Sequence, residues 1–162
     1  MDVYEECRRV VAALEHAGIR YALCGGLALA VHGRPRATLD IDLLVEVDEL
    51  DRLRGLLVEA GFTHEALPMT FSKGRVQIRR LTKVDEIRGD VLPVDLVMVQ
   101  GAVAERVWQS RERRPWEGME LWVVSRKGLA ALKRLRGSTQ DQADLEVLLP
   151  RKRPRRPRRR RR

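Results

Sequence analysis

The chain has 162 residues, of which 44% are hydrophobic, 34% charged and 4% aromatic. That length suits one domain, and the apolar share is enough for a core, so disorder throughout is excluded. The formal charge of +9 suggests a nucleic-acid binder, but ten of the 32 Lys and Arg residues fall within residues 151–162, and without them 22 basic residues face 23 acidic ones.

In chain order, Val3, Cys7, Val10, Val11 and Leu14 recur at helical spacing over residues 2–17, and Gly18 follows as a C-terminal cap. Tyr21 to Cys24 is a short apolar run that stops at Gly25-Gly26, after which Leu27 to His32 reads as a brief helix closed by Gly33. Thr38 to Val47 alternates Leu39, Ile41 and Leu43 with Thr38, Asp40 and Asp42, which predicts a strand with two carboxylates on one face. Asp48 is expected to cap a helix running to about Ala60. Thr70 to Ser72 and Arg75 to Leu81 read as strands joined by a Lys73-Gly74 turn, and Thr82 to Asp90 as a loop. Leu92 to Val99 is apolar apart from Pro93 and Asp95, the pattern of a buried strand carrying one carboxylate. Residues 101–111 read as a helix and Met119 to Val124 as a last strand. Ser125 then caps a helix to about Arg136, and Ser138 with Asp141 opens another through Leu149 as a capping box. The fold class is therefore α/β (α+β): a small mixed sheet flanked by helices, ending in a short helix pair. One domain spans residues 1–149, and residues 150–162 form an arginine-rich tail expected to be disordered, because like charges repel and Pro154 and Pro157 forbid a continuous helix.

Cys7 and Cys24 lack a CxxC partner or a His at ligand spacing, so neither a disulfide framework nor a zinc site is indicated. No charged-then-apolar leader opens the chain, and no apolar run approaches the roughly 18 to 20 residues of a membrane span. These features predict a cytoplasmic protein with no membrane partner.

Three features invite a chemical reading together: Gly25-Gly26 after a strand, Asp40-Ile41-Asp42 on a second, and Asp95 inside a third. Singly, a glycine pair is most often a structural turn, and a DxD is most often a solvated face. Asp95 amid Val94, Leu96 and Val97 is different, since a buried carboxylate needs an opposite charge. Phosphoryl chemistry accounts for all three. Carboxylates at i and i+2 point to one side of a strand and bridge two hard cations roughly 3.5 to 4 Å apart, and a third carboxylate beside them accepts a proton. The glycines offer backbone N–H groups to phosphates without a side chain in the way. Arg34 and Arg36 stand just before the carboxylates, either in salt bridges or in contact with a triphosphate or acceptor. His32 and His64 have no Ser or Cys partner and read as structural, Trp122 reads as core, and Trp116 in an Arg-Arg-Pro-Trp loop is the aromatic best placed to stack on a base.

The run Cys24-Gly25-Gly26, a short helix, then Arg34-Pro35-Arg36-Ala37-Thr38-Leu39-Asp40-Ile41-Asp42 resembles the nucleotidyltransferase superfamily that includes DNA polymerase beta, and within it the minimal, AbiEii-like toxin branch. Val124-Ser125, Leu132-Lys133 and Asp141…Asp144-Leu145 resemble the end of that branch, so the resemblance covers about residues 5–149. Gly26 stands where many members have Ser, and Gln140 where the branch often has Lys. The resemblance implies a metal-dependent enzyme that moves a nucleoside monophosphate from an NTP to an acceptor hydroxyl. Asp40, Asp42 and Asp95 would hold two Mg²⁺ ions, or Mn²⁺, with Asp95 also the base. Gly25, Gly26, Arg36, Thr38 and Lys133 would serve the nucleotide. The implied acceptor is tRNA, another RNA or a protein, with the arginine tail as an RNA contact and an acidic antitoxin as a further partner. The alternatives are an aminoglycoside-type small-molecule acceptor, or a non-catalytic RNA- or antitoxin-binding module.

Overall fold

The computed structural model describes residues 1–149, and the arginine tail lies outside the described residues. Helix α1 spans Val3–His16, starts at Asp2, whose carboxylate accepts hydrogen bonds from the Tyr4 and Glu5 amides, and buries Cys7, Val10, Val11 and Leu14. Strand β1 (Tyr21–Cys24) runs directly into α2 (Gly25–Val31), so the two glycines form the first turn of that helix rather than a turn ahead of it. Strand β2 covers Ile41–Val45, shorter than the expected strand, and Thr38 and Asp40 lie in the segment that approaches it. Asp48 is not a helix cap: a 3-10 turn at Val47–Glu49 takes up the change of direction, and α3 (Leu50–Glu59) begins after it without a side-chain cap.

The middle of the chain is more regular than its sequence suggests. Strands β3 (His64–Glu65) and β4 (Met69–Phe71) both pair with β5 (Val76–Asp85), which pairs along its whole length with β6 (Asp90–Val99). The expected loop over residues 82–90 is therefore mostly hairpin. Its charged residues obscure the strand, while ten cross-strand residue pairs and the Asp85 carboxylate, which accepts from the Ile87 and Arg88 amides, hold the turn. Helix α4 (Ala102–Gln109) leads to β7 (Glu112–Trp116), a strand with no apolar alternation because it lies at the sheet edge, and to β8 (Met119–Val123). Trp116 is buried against the Tyr4 ring at 5.4 Å between centroids, so it is not free to stack on a base. Trp122 is half-buried rather than core, with the Arg111 and Arg113 guanidiniums over its ring at 5.1 and 5.5 Å. His32 is structural, its Nε2 lying 2.8 Å from the Val124 carbonyl oxygen.

The eight strands form one mixed sheet in the order β3-β5-β6-β2-β1-β8-β7, with β4 also on β5. Tyr21, Leu23, Ile41, Leu43, Leu81 and Leu96 are buried on one face, and Leu50 of α3 lines a cleft there together with Leu81 and Leu96. On the other face Val76, Ile78 and Val97 line a pocket together with Leu129 and Leu132 of α5 (Arg126–Arg136). The last helix, α6 (Thr139–Leu148), follows Gly137, whose φ of +69° ends α5 in a left-handed cap. No helix among the described residues is long and apolar enough to cross a membrane.

Helix α6 opens with the expected capping box: the Asp141 amide donates to Ser138 Oγ, and the Asp141 carboxylate accepts from the Ser138 amide. Replacing Ser138 by Ala should cost about 1 kcal/mol, the usual loss for a helix cap, measured as a shift of the urea unfolding midpoint with unchanged slope.

Candidate active site

Sheet register assembles the site. Parallel pairing of β2 with β6 sets Asp42 beside Asp95, and antiparallel pairing of β1 with β2 sets Cys24 beside Asp42. Partners in register share a face, so Asp42 and Asp95, both buried, point the same way. Asp40 precedes β2 and is half-exposed, yet one oxygen from each of Asp40, Asp42 and Asp95 lies within 4.8 Å of the others.

Two features orient this trio. Thr38 Oγ1 donates to Asp40 Oδ1 at 2.7 Å, which fixes the carboxylate that the strand itself does not hold. Arg80, opposite Asp95 on β5, donates from Nε and Nη2 to the two Asp95 oxygens at 2.6 and 2.8 Å, a bidentate pair. Arg80 is the residue of this site that sequence reading misses. Its signal exists only as a parity match between two strands, one of which the sequence ends at Leu81 in a loop.

The glycines are required by packing. Gly25 has φ +62°, and a Cβ there would stand 1.7 Å from Asp42 Oδ2. A Cβ on Gly26 would stand 2.5 Å from Thr38 Oγ1 and 3.3 Å from an Arg36 guanidinium nitrogen. The start of α2 is thus pressed against Asp42 on one side and Thr38 on the other, which places its first backbone amides next to the carboxylates.

Behind this layer, α5 and α6 bring a buried charge network. Lys133 Nζ, 3% exposed, contacts Asp144 Oδ2 at 2.6 Å and Asp141 Oδ1 at 3.4 Å. Arg136 binds both oxygens of Asp141 at 2.8 Å each, and Arg36 binds both oxygens of Asp144 at 2.9 and 3.1 Å. Gln140 donates to Asp144 Oδ1 at 3.1 Å. Asp144 therefore ties Arg36, in the segment leading to Asp40, to Lys133 on α5. Lys133 and Arg136 also line a pocket with Cys24, Gly25 and Asp42, while Arg34 lies in a separate cleft beside Arg36.

The charges are unequal in their support. Burial of Asp141 raises its pKa, but hydrogen bonds from Arg136 and Ser138 outweigh this and hold it at about 2. Asp144 is likewise lowered, burial being outweighed by Lys133, Arg36 and Gln140. Asp42 goes the other way: burial, then the charges of Asp40 and Asp95, push it up to about 7. A buried carboxylate with its proton held that tightly, facing two more carboxylates, is a donor set short of positive charge. Three hard oxygen ligands of this kind fit a divalent cation such as Mg²⁺.

The sequence matches the model of the aminoglycoside-2''-adenylyltransferase family over residues 6–147. No curated protein sequence matches it. The fold is similar to that of a protein from Thermotoga maritima described as a nucleotidyltransferase, with a TM-score of 0.61 at 13% identity over 88% of this chain and 89% of that one. A lincosamide antibiotic adenylyltransferase bound to lincomycin superimposes with a TM-score of 0.56 at 13% identity, covering 89% of this chain and 94% of that chain. ANT(2'')-Ia in complex with adenylyl-2''-tobramycin gives 0.54 at 16% identity, covering 87% and 91%. The family matched is an adenylyltransferase one rather than the AbiEii-like branch that the Arg36-to-Asp42 run resembles. With the match spanning almost all of the described residues, and with Asp40, Asp42 and Asp95 converging on a sheet of nucleotidyltransferase fold, the chain belongs to the aminoglycoside-2''-adenylyltransferase family and is a nucleotidyltransferase.

Proposed function

We propose that the protein transfers a nucleoside monophosphate from an NTP to a hydroxyl group of a small-molecule acceptor, releasing pyrophosphate, in the cytoplasm. The observation that carries this reading is the convergence of Asp40, Asp42 and Asp95 within 4.8 Å at the first turn of α2, in a chain of this family. A bond forms between the acceptor oxygen and the α-phosphorus, the bond from that phosphorus to the bridging oxygen breaks, and pyrophosphate leaves with the electron pair. Asp95 takes the hydroxyl proton: each of its oxygens keeps a lone pair beyond the one that Arg80 engages. Arg80 positions Asp95, and Thr38 positions Asp40. The amides of Gly25 and Gly26 face the phosphates, with Arg36 and Lys133 neutralising charge around them. Asp40, Asp42 and Asp95 would hold Mg²⁺, two ions by the chemistry of this superfamily, and the bound metal would supply Lewis-acid polarisation of the phosphate and the acceptor hydroxyl.

A second reading, toxin-type transfer to tRNA, another RNA or a protein, with an acidic antitoxin as partner, is supported by the Arg36-to-Asp42 run and by the ten basic residues in residues 151–162. The full chain incubated with Mg²⁺, each α-labelled NTP, and hydroxylated antibiotics, total tRNA or total protein separates the two. Acceptor-dependent pyrophosphate release with label on a small molecule is the expected result, whereas label predominantly on tRNA or protein selects the second reading.

Asp40→Ala and Asp42→Ala should each lower kcat by about two to three orders of magnitude, the scale on which loss of one electrostatic stabiliser acts, without loss of the circular dichroism of the fold. Asp95→Asn should lower kcat while leaving the KM for NTP largely unchanged. Arg80→Ala should lower kcat by about 10- to 100-fold, as loss of a residue that orients a metal ligand does, and Arg80→Lys should recover part of it. Wild-type turnover in Arg80→Ala would remove its positioning role.

The raised pKa of Asp42 sets a dependence of stability on pH. Because the folded value of about 7 lies above the ordinary 3.8, this group's contribution to stability is full below 3.8 and is lost as pH rises through 7. Below pH 7, a cation must displace the Asp42 proton in order to bind. In EDTA the unfolding midpoint should therefore fall between pH 5 and pH 8, and added Mg²⁺ should raise it more at pH 8 than at pH 5. An Mg²⁺ effect of equal size at both pH values would remove Asp42 from the ligand set.

A further inference from the structure

We propose that Arg136 receives the β- and γ-phosphates of the bound NTP, and then the departing pyrophosphate, through the part of its guanidinium that Asp141 leaves unused. The proposal rests on the nucleotidyl-transfer reading above and adds to it the residue that meets the leaving group.

The cations around the carboxylates differ in what they have left to give. Lys133 Nζ spends two of its three N–H groups on Asp141 and Asp144. Arg36 has every nitrogen bonded, Nε and Nη2 to Asp144 and Nη1 to the Ala37 carbonyl oxygen. Arg80 and Arg136 are held alike: Nε and Nη2 donate to one carboxylate, that of Asp95 or of Asp141, and among the described residues Nη1 has no partner. Each of these two arginines therefore keeps both hydrogens of Nη1 for another acceptor. Asp141 is itself fixed by the amide and hydroxyl of Ser138, so Arg136 is presented in one orientation, and a planar guanidinium held in this way suits phosphate oxygens.

The two arginines serve different sides of the centre. Strand β2, which carries Asp42, lies between β6, which carries Asp95, and β1, which runs into Gly25. Arg80 stands opposite Asp95, where the acceptor hydroxyl gives up its proton. In an in-line displacement the leaving group departs on the side away from the attacking oxygen, which here is the side of Asp42 toward Gly25. Arg136 lines one pocket with Gly25 and Asp42. Its side chain is 31% exposed, against 3% for Lys133, so an anion entering the pocket reaches Arg136 and not the lysine behind it. The walls of that pocket are otherwise mostly aliphatic, Leu129 and Leu132 among them, and such walls admit less water to compete for the guanidinium and strengthen its bond to a phosphate. The field at the centre agrees: burial, Asp40 and Asp95 push the Asp42 pKa up, and of the two positive charges that pull it back, Arg136 acts more strongly than Lys133.

The test is titration calorimetry on the full chain with Mg²⁺, using inorganic pyrophosphate and a non-hydrolysable ATP analogue as probes. Arg136→Gln should weaken both by at least about tenfold, the scale of losing one hydrogen bond to a charged group, and Arg136→Lys should recover part of the loss, since lysine keeps the charge without the fork. Arg136→Gln also leaves the buried Asp141 short of positive charge, so a second variant, Arg136→Gln with Asp141→Asn, removes both members of the pair. In that variant the unfolding midpoint should return toward that of the unaltered chain while pyrophosphate binding stays at least about tenfold weaker. Arg134→Gln makes the same change of charge at an exposed position of α5 and should leave both affinities unchanged. Unaltered pyrophosphate affinity in Arg136→Gln, recovery of that affinity together with the midpoint in the double variant, an equal loss in Arg134→Gln, or binding of neither probe by the unaltered chain each overturns the proposal. Pyrophosphate release by the unaltered chain is measured separately across the four NTPs and the acceptor panel, and its absence there would defeat the nucleotidyl-transfer reading itself, and the assignment of Arg136 with it.

Discussion

Three carboxylates held within 4.8 Å of one another repel, and most of the structure around them deals with that repulsion. In water the trio would simply stay apart. Here the parallel register of β2 and β6 forces Asp42 and Asp95 side by side, and the bond from Thr38 draws Asp40 in. Arg80 offsets the charge of Asp95, but among the described residues no comparable partner reaches Asp42, whose pKa is pushed up to about 7. The fold thus holds an unfavourable charge distribution of the kind that a divalent cation would relieve, unlike an ordinary buried salt bridge, whose charges are already matched.

The same constraint explains the glycines and the two C-terminal helices. A side chain at position 25 would occupy the space of the Asp42 carboxylate, so only glycine lets α2 start against the trio. Helices α5 and α6 carry their own charges in balance: Lys133 and Arg136 meet Asp141, and Lys133 and Arg36 meet Asp144. A buried lysine without those partners would be costly, and the carboxylates without it equally so. The network ties the segment that carries Arg36, Thr38 and Asp40 to the two C-terminal helices, so the carboxylate least supported by the sheet is held from two directions.

Much of this was legible in the amino-acid sequence because its signals are local. The spacing of Val3, Cys7, Val10, Val11 and Leu14, the apolar run Tyr21–Cys24, and the Ser125 and Ser138 caps each depend on residues within a few positions of one another. The Gly25-Gly26, Asp40-Asp42 and Asp95 set drew a chemical reading for a different reason: Asp95 is costly inside an apolar strand, and the other two features, ordinary singly, fit phosphoryl chemistry together with it. Strand β7, with its sequence Glu-Arg-Arg-Pro-Trp, was not legible, because an edge strand has one row of backbone groups paired and needs no buried alternation. The outer half of β5 was missed for a related reason: pairing to β6 decides it, not its own composition.

By itself, the sequence determined the helices, the inner strands and which residues invite a phosphoryl-transfer reading, since those follow from periodicity, caps and the cost of burying charge. Only the tertiary structure decided that Arg80 belongs to Asp95, that Lys133 and Arg36 share Asp144, and that Arg136 shares a pocket with Asp42 and Gly25. Those facts depend on strand register and on contacts between residues as many as 108 positions apart, and no property of a local segment encodes them.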